Sequence, residues 1–306
     1  MLRHTVTMYK SGIIILRVVV LMLFKLRLFF CFLFVGVAYC SDGMTPTILY
    51  SKESPNSLIE VIQVPGSDIL DVCENKDYNT KHSSILPGNP THLSQYETFA
   101  TAGFCFSKNL KNILLLGVGG GEFLGYMNNY FLNTYVDAVD INPAMFEIIE
   151  KFRKIDTSRA RFICEDAFKH IEKVRDSYDL IYFDVYPPKP LTAEKYKGFF
   201  ENVKEHLNEG GVFVWNAYIP EITRAAVEDM FKNFKNVMAA NTNDGANIVF
   251  ICYQGHAKTK QDLEEAANDM QTQYNFRYAL PDLLKETMLI SPEENETWIM
   301  KFPVLS

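Results

Sequence analysis

Between residues 110 and 255, short and mostly apolar runs, of which Asn112–Leu116 is the continuous one suited to full burial, alternate with segments whose apolar positions recur every three or four residues. The runs suit strands buried on both faces of a sheet, and the periodic segments suit helices covering it. Strands are expected at Asn112–Leu116, Thr134–Val139, Ala160–Cys164, Tyr178–Phe183 and Val212–Asn216, then a closing pair at Asn236–Ala240 and Asn247–Tyr253. Helices are expected at Glu122–Phe131, Pro143–Lys154, Leu191–Leu207 and Thr223–Phe234, with a shorter one ending at Lys173. This alternation predicts an α/β, Rossmann-like fold, with a mostly parallel seven-stranded sheet and helices on both faces. Upstream, Ser57–Val64 and Ile69–Val72 flank the turn Pro65-Gly66-Ser67-Asp68 and read as a small N-terminal β-hairpin. The polar stretch Glu74–Pro90 reads as loop, and Leu93–Phe106 has helical periodicity. The chain thus divides into a leader or anchor (1–40), a hairpin-and-helix region (41–106), the α/β domain (107–256) and a helical extension (257–306).

Composition narrows the partners. Hydrophobic residues make up 48% of the 306 positions and charged residues 22%, the balance of a globular protein with a large core. A formal charge of −7 and the lack of a Lys/Arg stripe argue against a nucleic-acid partner held through its phosphates. Residues Ile13–Tyr39 are mostly apolar, but Arg17, Lys25 and Arg27 interrupt them. The charge-free run Leu28–Cys40 is shorter than the roughly 20 residues a spanning helix needs. Lys25 and Arg27, the apolar run, and Ala38-Tyr39-Cys40 before Ser41 read instead as a secretory signal with its cleavage site. Met22 is an alternative start for it. On that reading the mature chain is secreted without a membrane partner; the alternative is an uncleaved anchor through residues 13–39. Asn295-Glu296-Thr297 is a glycosylation acceptor compatible with this route. Cys164 and Cys252 fall in strands expected to be buried, and Cys73 with Cys105 is the pair open to a disulfide in an oxidising compartment. No zinc-type Cys/His cluster is present, so no metal is expected.

The candidate chemistry sits at strand ends. After the first α/β strand comes Gly117-Val118-Gly119-Gly120-Gly121, where Gly117, Gly119 and Gly121 permit positive φ and close approach of a nucleotide-like ligand. The dinucleotide fingerprint is G-x-G-x-x-G. Here the third glycine arrives one residue early, and Glu122 would face a pyrophosphate. S-adenosylmethionine carries a cationic sulfonium and no phosphate, so acidic neighbours favour it. Asp140 ends the second strand about 20 residues on, where a carboxylate accepts ribose hydroxyls; otherwise it caps the Pro143 helix. Asp166-Ala167 ends the third strand, where a carboxylate and a backbone N–H can read an adenine edge; otherwise Asp166 is a helix cap. Asp184 ends the fourth, followed by Val185-Tyr186-Pro187-Pro188, and points at the reacting centre, where a carboxylate can position an amine nucleophile or accept its proton; otherwise it is structural in a proline loop.

Four such sites in register resemble a known family. Leu114–Gly121, Val139-Asp140-Ile141-Asn142-Pro143, Glu165-Asp166-Ala167, Tyr178–Asp184 and Gly210-Gly211-Val212-Phe213 look like the spermidine-synthase-like branch of class I S-adenosylmethionine-dependent methyltransferases. The hairpin and the Tyr96-Glu97 helix are similar to the small β-domain and gate region of polyamine synthases. The resemblance implies that Gly117, Gly119, Gly121, Asp140, Ile141, Asp166 and Ala167 bind S-adenosylmethionine. It places Asp184 and Tyr186 at the catalytic centre, and it implies a homodimer as one assembly. Two departures matter. Aminopropyltransferases carry an aspartate where this chain has Gly120, and another where it has Pro187. The leading expectation is therefore a methyltransferase, whose acceptor, protein or small molecule, no motif names. The others are a polyamine aminopropyltransferase and a secreted, non-catalytic binding protein on the same fold.

Overall fold

The computed structural model describes residues 45–54, 57–78, 81–107, 109–186, 193–242 and 246–290, with 294 and 297. The proposed signal segment, Pro187 and Asn295 lie outside them. Two sheets, both within the compact unit Thr47–Ser306, organise the chain. The small one is antiparallel, in the order β1(Thr47–Ser54), β2(Ser57–Gln63), β3(Leu70–Glu74), β4(Lys81–Ile85). It contains the expected hairpin as its central pair.

The large sheet contains β5(Asn112–Leu116), β6(Tyr135–Asp140), β7(Ala160–Cys164), β8(Tyr178–Phe183) and β9(Leu207–Tyr218). It is completed by β10(Asn236–Asn241), β11(Asn247–Tyr253) and β12(Met288–Ile290), in the order β12-β10-β11-β9-β8-β5-β6-β7. All seven expected strands are present, and the short β12 adds an eighth at one edge. Strands β5 to β9 pair in parallel, whereas β11 pairs antiparallel with both β9 and β10. From β5 the chain winds outward to β6 and β7, then returns to place β8 on the other side. The β5/β8 boundary is thus the topological switch point, where open α/β sheets leave a ligand crevice.

Alternation along each strand builds a core on either face. Ile113 and Leu115 face Phe104, Phe123 and Tyr126 on one side. Leu114 and Leu116 face Phe183, Phe200 and Trp215 on the other. A smaller core joins Ile59, Val61, Val72 and Ile85 of the small sheet to Ala144, Met145 and Ile148.

The helices are α1(Gln95–Ala100), α2(Glu122–Tyr130), α3(Pro143–Ile148), α4(Ala167–Lys173), α5(Ala193–Tyr196), α6(Phe199–Glu205), α7(Arg224–Asn233), α8(Lys260–Tyr274) and α9(Leu280–Lys285). Several depart from the expected ranges for local reasons. The Leu191–Leu207 helix is broken by Gly198 at φ 75°, and the Pro143 helix changes to a π-turn over Ile149–Arg153. The stretch Glu74–Pro90, expected as loop, contains β4, because pairing with β3 supplies hydrogen bonds that its polar sequence does not advertise. Cys164 is exposed rather than buried, since β7 is an edge strand, and Cys73 and Cys105 are free and buried. Among the described residues no helix is long and apolar enough to cross a membrane, and no three His, Cys, Asp or Glu groups converge on a metal position.

The carboxylate of Asp179, near the start of β8, accepts the backbone N–H groups of Lys111 (2.9 Å) and Asn112 (3.0 Å) and the amide of Asn208 (2.8 Å). It ties three adjacent strand starts together. Asp179→Ala is expected to destabilise the fold by about 1–3 kcal/mol in urea denaturation, with Asp179→Asn closer to wild type because it keeps an acceptor.

Candidate functional site

The glycine loop leaves β5 at the switch point. Gly117, Gly119 and Gly121 all adopt positive φ (84°, 51° and 76°), which other residues rarely tolerate. At Gly117 a Cβ would lie 2.1 Å from the Asp184 carbonyl oxygen, so glycine is required for the ends of β5 and β8 to touch. At Gly120 a Cβ would meet Ser83 Oγ at 2.6 Å and Val72 Cγ2 at 3.2 Å. Strand β4 therefore lies directly across the loop and roofs one side of the cleft.

Of the three expected strand-end aspartates, Asp140 bonds to this loop and Asp184 lies against it, whereas Asp166 is engaged elsewhere. Asp140, at the end of β6, accepts the N–H groups of Val118 (3.0 Å) and Gly119 (3.2 Å) on one oxygen and of Asn142 (2.8 Å) on the other. Burial raises its carboxyl despite these bonds. Beside it Ile141 is 60% exposed, an apolar surface at the mouth. Asp166 caps α4 through the N–H groups of Phe168 (2.8 Å) and Lys169 (3.4 Å), and its other oxygen pairs with Lys195 at 2.9 Å. Burial opposes its charge, but the Lys195 bond and the helix N–H groups outweigh that and hold its carboxyl below the ordinary range. Ala167 is the buried first residue of α4. Asp166 thus serves the capping role left open from sequence, with an added cation that sequence spacing does not reveal.

Of the three carboxyls, that of Asp184 is shifted furthest. It accepts Asn216 Nδ2 at 2.7 Å and Tyr182 Oη at 3.1 Å. Burial, and secondarily the nearby Glu97, push its carboxyl up to about 7. Tyr186 is exposed at the mouth, its ring 5.4 Å from both His82 on β4 and Tyr218 at the end of β9.

Sequence reasoning passes over the groups beneath the loop. Glu97 and Glu122 are both buried and adjacent; burial, and secondarily the neighbouring Glu122 carboxyl, raise Glu97 well above the ordinary range. Glu97 also closes a capping box with Ser94 at the start of α1. Arg153 approaches Glu122 at 3.8 Å and donates to the carbonyls of Gly120 (2.8 Å) and Ser84 (2.7 Å), locking loop and β4 together. Glu122 therefore turns into the protein rather than toward a ligand. The S-x-x-E spacing of Ser94 and Glu97 is the one local signal for this layer.

Comparison with known proteins places this geometry. A profile of the spermine/spermidine synthase domain family matches residues 93–256. The eEF1A lysine and N-terminal methyltransferase of Xenopus laevis is 24% identical over 204 residues, covering 58% of this chain and 29% of that protein. The probable spermidine synthase of Corynebacterium glutamicum has the same fold, with a TM-score of 0.65 at 17% identity, over 85% of this chain and 96% of that one. Human methyltransferase-like protein 13, solved in complex with SAH, superimposes with a TM-score of 0.51 at 19% identity, over 60% of this chain and 93% of that one. The chain spans 29–54% of the length of several curated relatives that it matches.

The upward shift of the Asp184 carboxyl has a measurable consequence. Because its folded value lies above its unfolded one, the folded protein keeps a proton that the unfolded chain loses between about pH 4 and pH 7. The stability associated with that proton is present at low pH and is lost as pH rises through about 7. Asp184→Asn is expected to be more stable than wild type at pH 8, the difference changing by at most about 1.4 kcal/mol per pH unit and vanishing near pH 4. Thermal unfolding of both proteins across this range checks it; a pH-independent difference refutes the assignment.

Proposed function

The chain belongs to the spermine/spermidine synthase domain family, and from that premise we propose that it is an S-adenosylmethionine-dependent methyltransferase. The donor set supports an S-adenosyl group over a dinucleotide. The Val118 and Gly119 N–H groups, which a pyrophosphate would need, are taken by Asp140, and Glu122 adds a carboxylate behind them. Positive-φ glycines hold the loop in a turn with few side chains, exposed Ile141 offers a surface for a flat heterocycle, and Asp140, which accepts three N–H groups, has about one lone-pair site left for a ribose hydroxyl. Asp166 and the Ala167 N–H stand at the adenine end of this cradle. When bound, S-adenosylmethionine supplies an electrophilic methyl group.

The observation that carries the choice between family activities is the packing at Gly120. Aminopropyltransferases carry a carboxylate at this position, by the resemblance drawn above, to hold an additional amine. Here Ser83 and Val72 fill the space that side chain would occupy. The chain's own residues then have clear tasks. Asp184, with a carboxyl near neutrality, accepts a proton from the incoming nucleophile. Tyr186, His82 and Tyr218 frame the entrance through which the acceptor arrives, and the sheet ends and β4 exclude water. The human relative solved with SAH and the frog methyltransferase support this reading.

Thermal unfolding with S-adenosylmethionine, S-adenosylhomocysteine and decarboxylated S-adenosylmethionine tests the proposal. The first two should stabilise the protein, by about 2.7 kcal/mol at a hundredfold excess over Kd, and Asp140→Ala should abolish the effect. Preference for the decarboxylated form would reverse the choice in favour of aminopropyl transfer, and no shift with any of the three would leave a non-catalytic binding protein. Gly120→Asp is expected to destabilise the fold by more than about 1 kcal/mol without conferring binding of the decarboxylated form; tight binding of that form by the variant would refute the packing argument.

A further inference from the structure

We infer that Asn247, which lies outside the cleft, is a positioning residue for the proposed reaction: it fixes which way the Asn216 amide faces, and Asn216 holds Asp184 as an acceptor. The inference rests on the reading of Asp184 as the proton-accepting carboxylate. Asn247 donates from Nδ2 to Asn216 Oδ1 at 2.9 Å, and Asn216 donates from Nδ2 to Asp184 Oδ1 at 2.7 Å. The chain of bonds crosses three adjacent strands, from β11 through β9 to the end of β8.

A primary amide has a donor end and an acceptor end, so this chain has a direction. With Asn247 donating, the Asn216 oxygen is occupied and its NH₂ must face Asp184. If the amide turned over, its carbonyl would face the carboxyl and could bond only to a protonated acid. Asn247 is itself held in place. Its N–H donates to Thr242 Oγ1 (3.1 Å), and its carbonyl accepts the Thr242 hydroxyl (2.9 Å) and N–H (3.1 Å). These bonds hold the Asn247 main chain in place, and its side-chain Nδ2 reaches from there to Asn216.

The other groups around Asp184 are Glu97 and Tyr96 from α1, Glu122 from α2, Asp140 from β6, and Tyr182 two residues before it on β8. The carboxyls among them resist its ionisation. Asn216 and the Tyr182 hydroxyl are the hydrogen-bond donors that favour it. Of these two, Asn216 alone is an amide whose direction a neighbour can set.

The test follows the Asp184 carboxyl directly, by ¹³C-carboxyl NMR titration of the full protein, its signal identified by loss in Asp184→Asn. Asn247→Asp replaces the donor with an acceptor and should turn the Asn216 amide, raising the Asp184 midpoint by about one pH unit or more. The same replacement in an Asn216→Ala background adds only the charge and should raise it by less than half as much. Equal shifts in the two backgrounds would overturn the inference. Asn247→Ala, which adds no charge, should also raise the midpoint by a smaller step, and an unchanged midpoint would overturn the inference even if the Asn247→Asp variant failed to fold. This readout needs neither methyl donor nor acceptor. A failure of S-adenosylmethionine binding would leave it intact, and its own failure would leave the binding result standing.

Discussion

Arg153 makes the connection on which the rest of the site depends. Its guanidinium reaches from the π-turn after α3 to the carbonyl of Gly120 on the glycine loop and the carbonyl of Ser84 on β4. Without a buried cation between them, two carbonyls and the Glu122 carboxyl would share a dry space with no donor of comparable strength. With it, the small sheet is fixed over the loop, Ser83 packs on Gly120, and the cleft acquires its roof. Burial lowers the arginine's own basicity, which Glu122 opposes, so the clamp and the acid beneath it sustain one another.

That clamp does not neutralise the whole layer. Glu97, Glu122, Asp140 and Asp184 crowd the space between the loop, α1 and the sheet ends. Burial among like charges displaces the carboxyls of Glu97, Glu122 and Asp184 upward. A site of this kind suits a ligand bearing positive charge, because such a ligand relieves repulsion that the free protein must suppress with protons. The same electrostatics are hostile to phosphates, in keeping with the early third glycine of the loop.

The fold is largely legible in the sequence because its signals are local. Each parallel strand has a mostly apolar stretch with a helix behind it, and the glycines, Asp140, Asp166 and Asp184 fall at the turns between. What stays hidden depends on partners far along the chain. Strand β4 is Lys81-His82-Ser83-Ser84-Ile85, whose polar residues look like loop until β3 and the glycine loop lie against them. Glu122 looks like a first-turn acid facing a ligand, since nothing near it in sequence foretells Arg153. Lys195 on Asp166, and Asn247 behind Asn216, are likewise visible only once distant strand ends have been brought together.

The absent side chain at Gly117 has a mechanical consequence. Since the Asp184 carbonyl occupies the place of its missing Cβ, and the Asp184 N–H donates to the Leu116 carbonyl at 2.8 Å, the two strand ends move as one body. A ligand that displaces the loop by a fraction of an ångström displaces the backbone that carries the acidic group by a similar amount. The glycine loop and the Asp184 backbone are therefore geared to each other, and neither can be reshaped by substitution at this joint without disturbing the alignment of its neighbour.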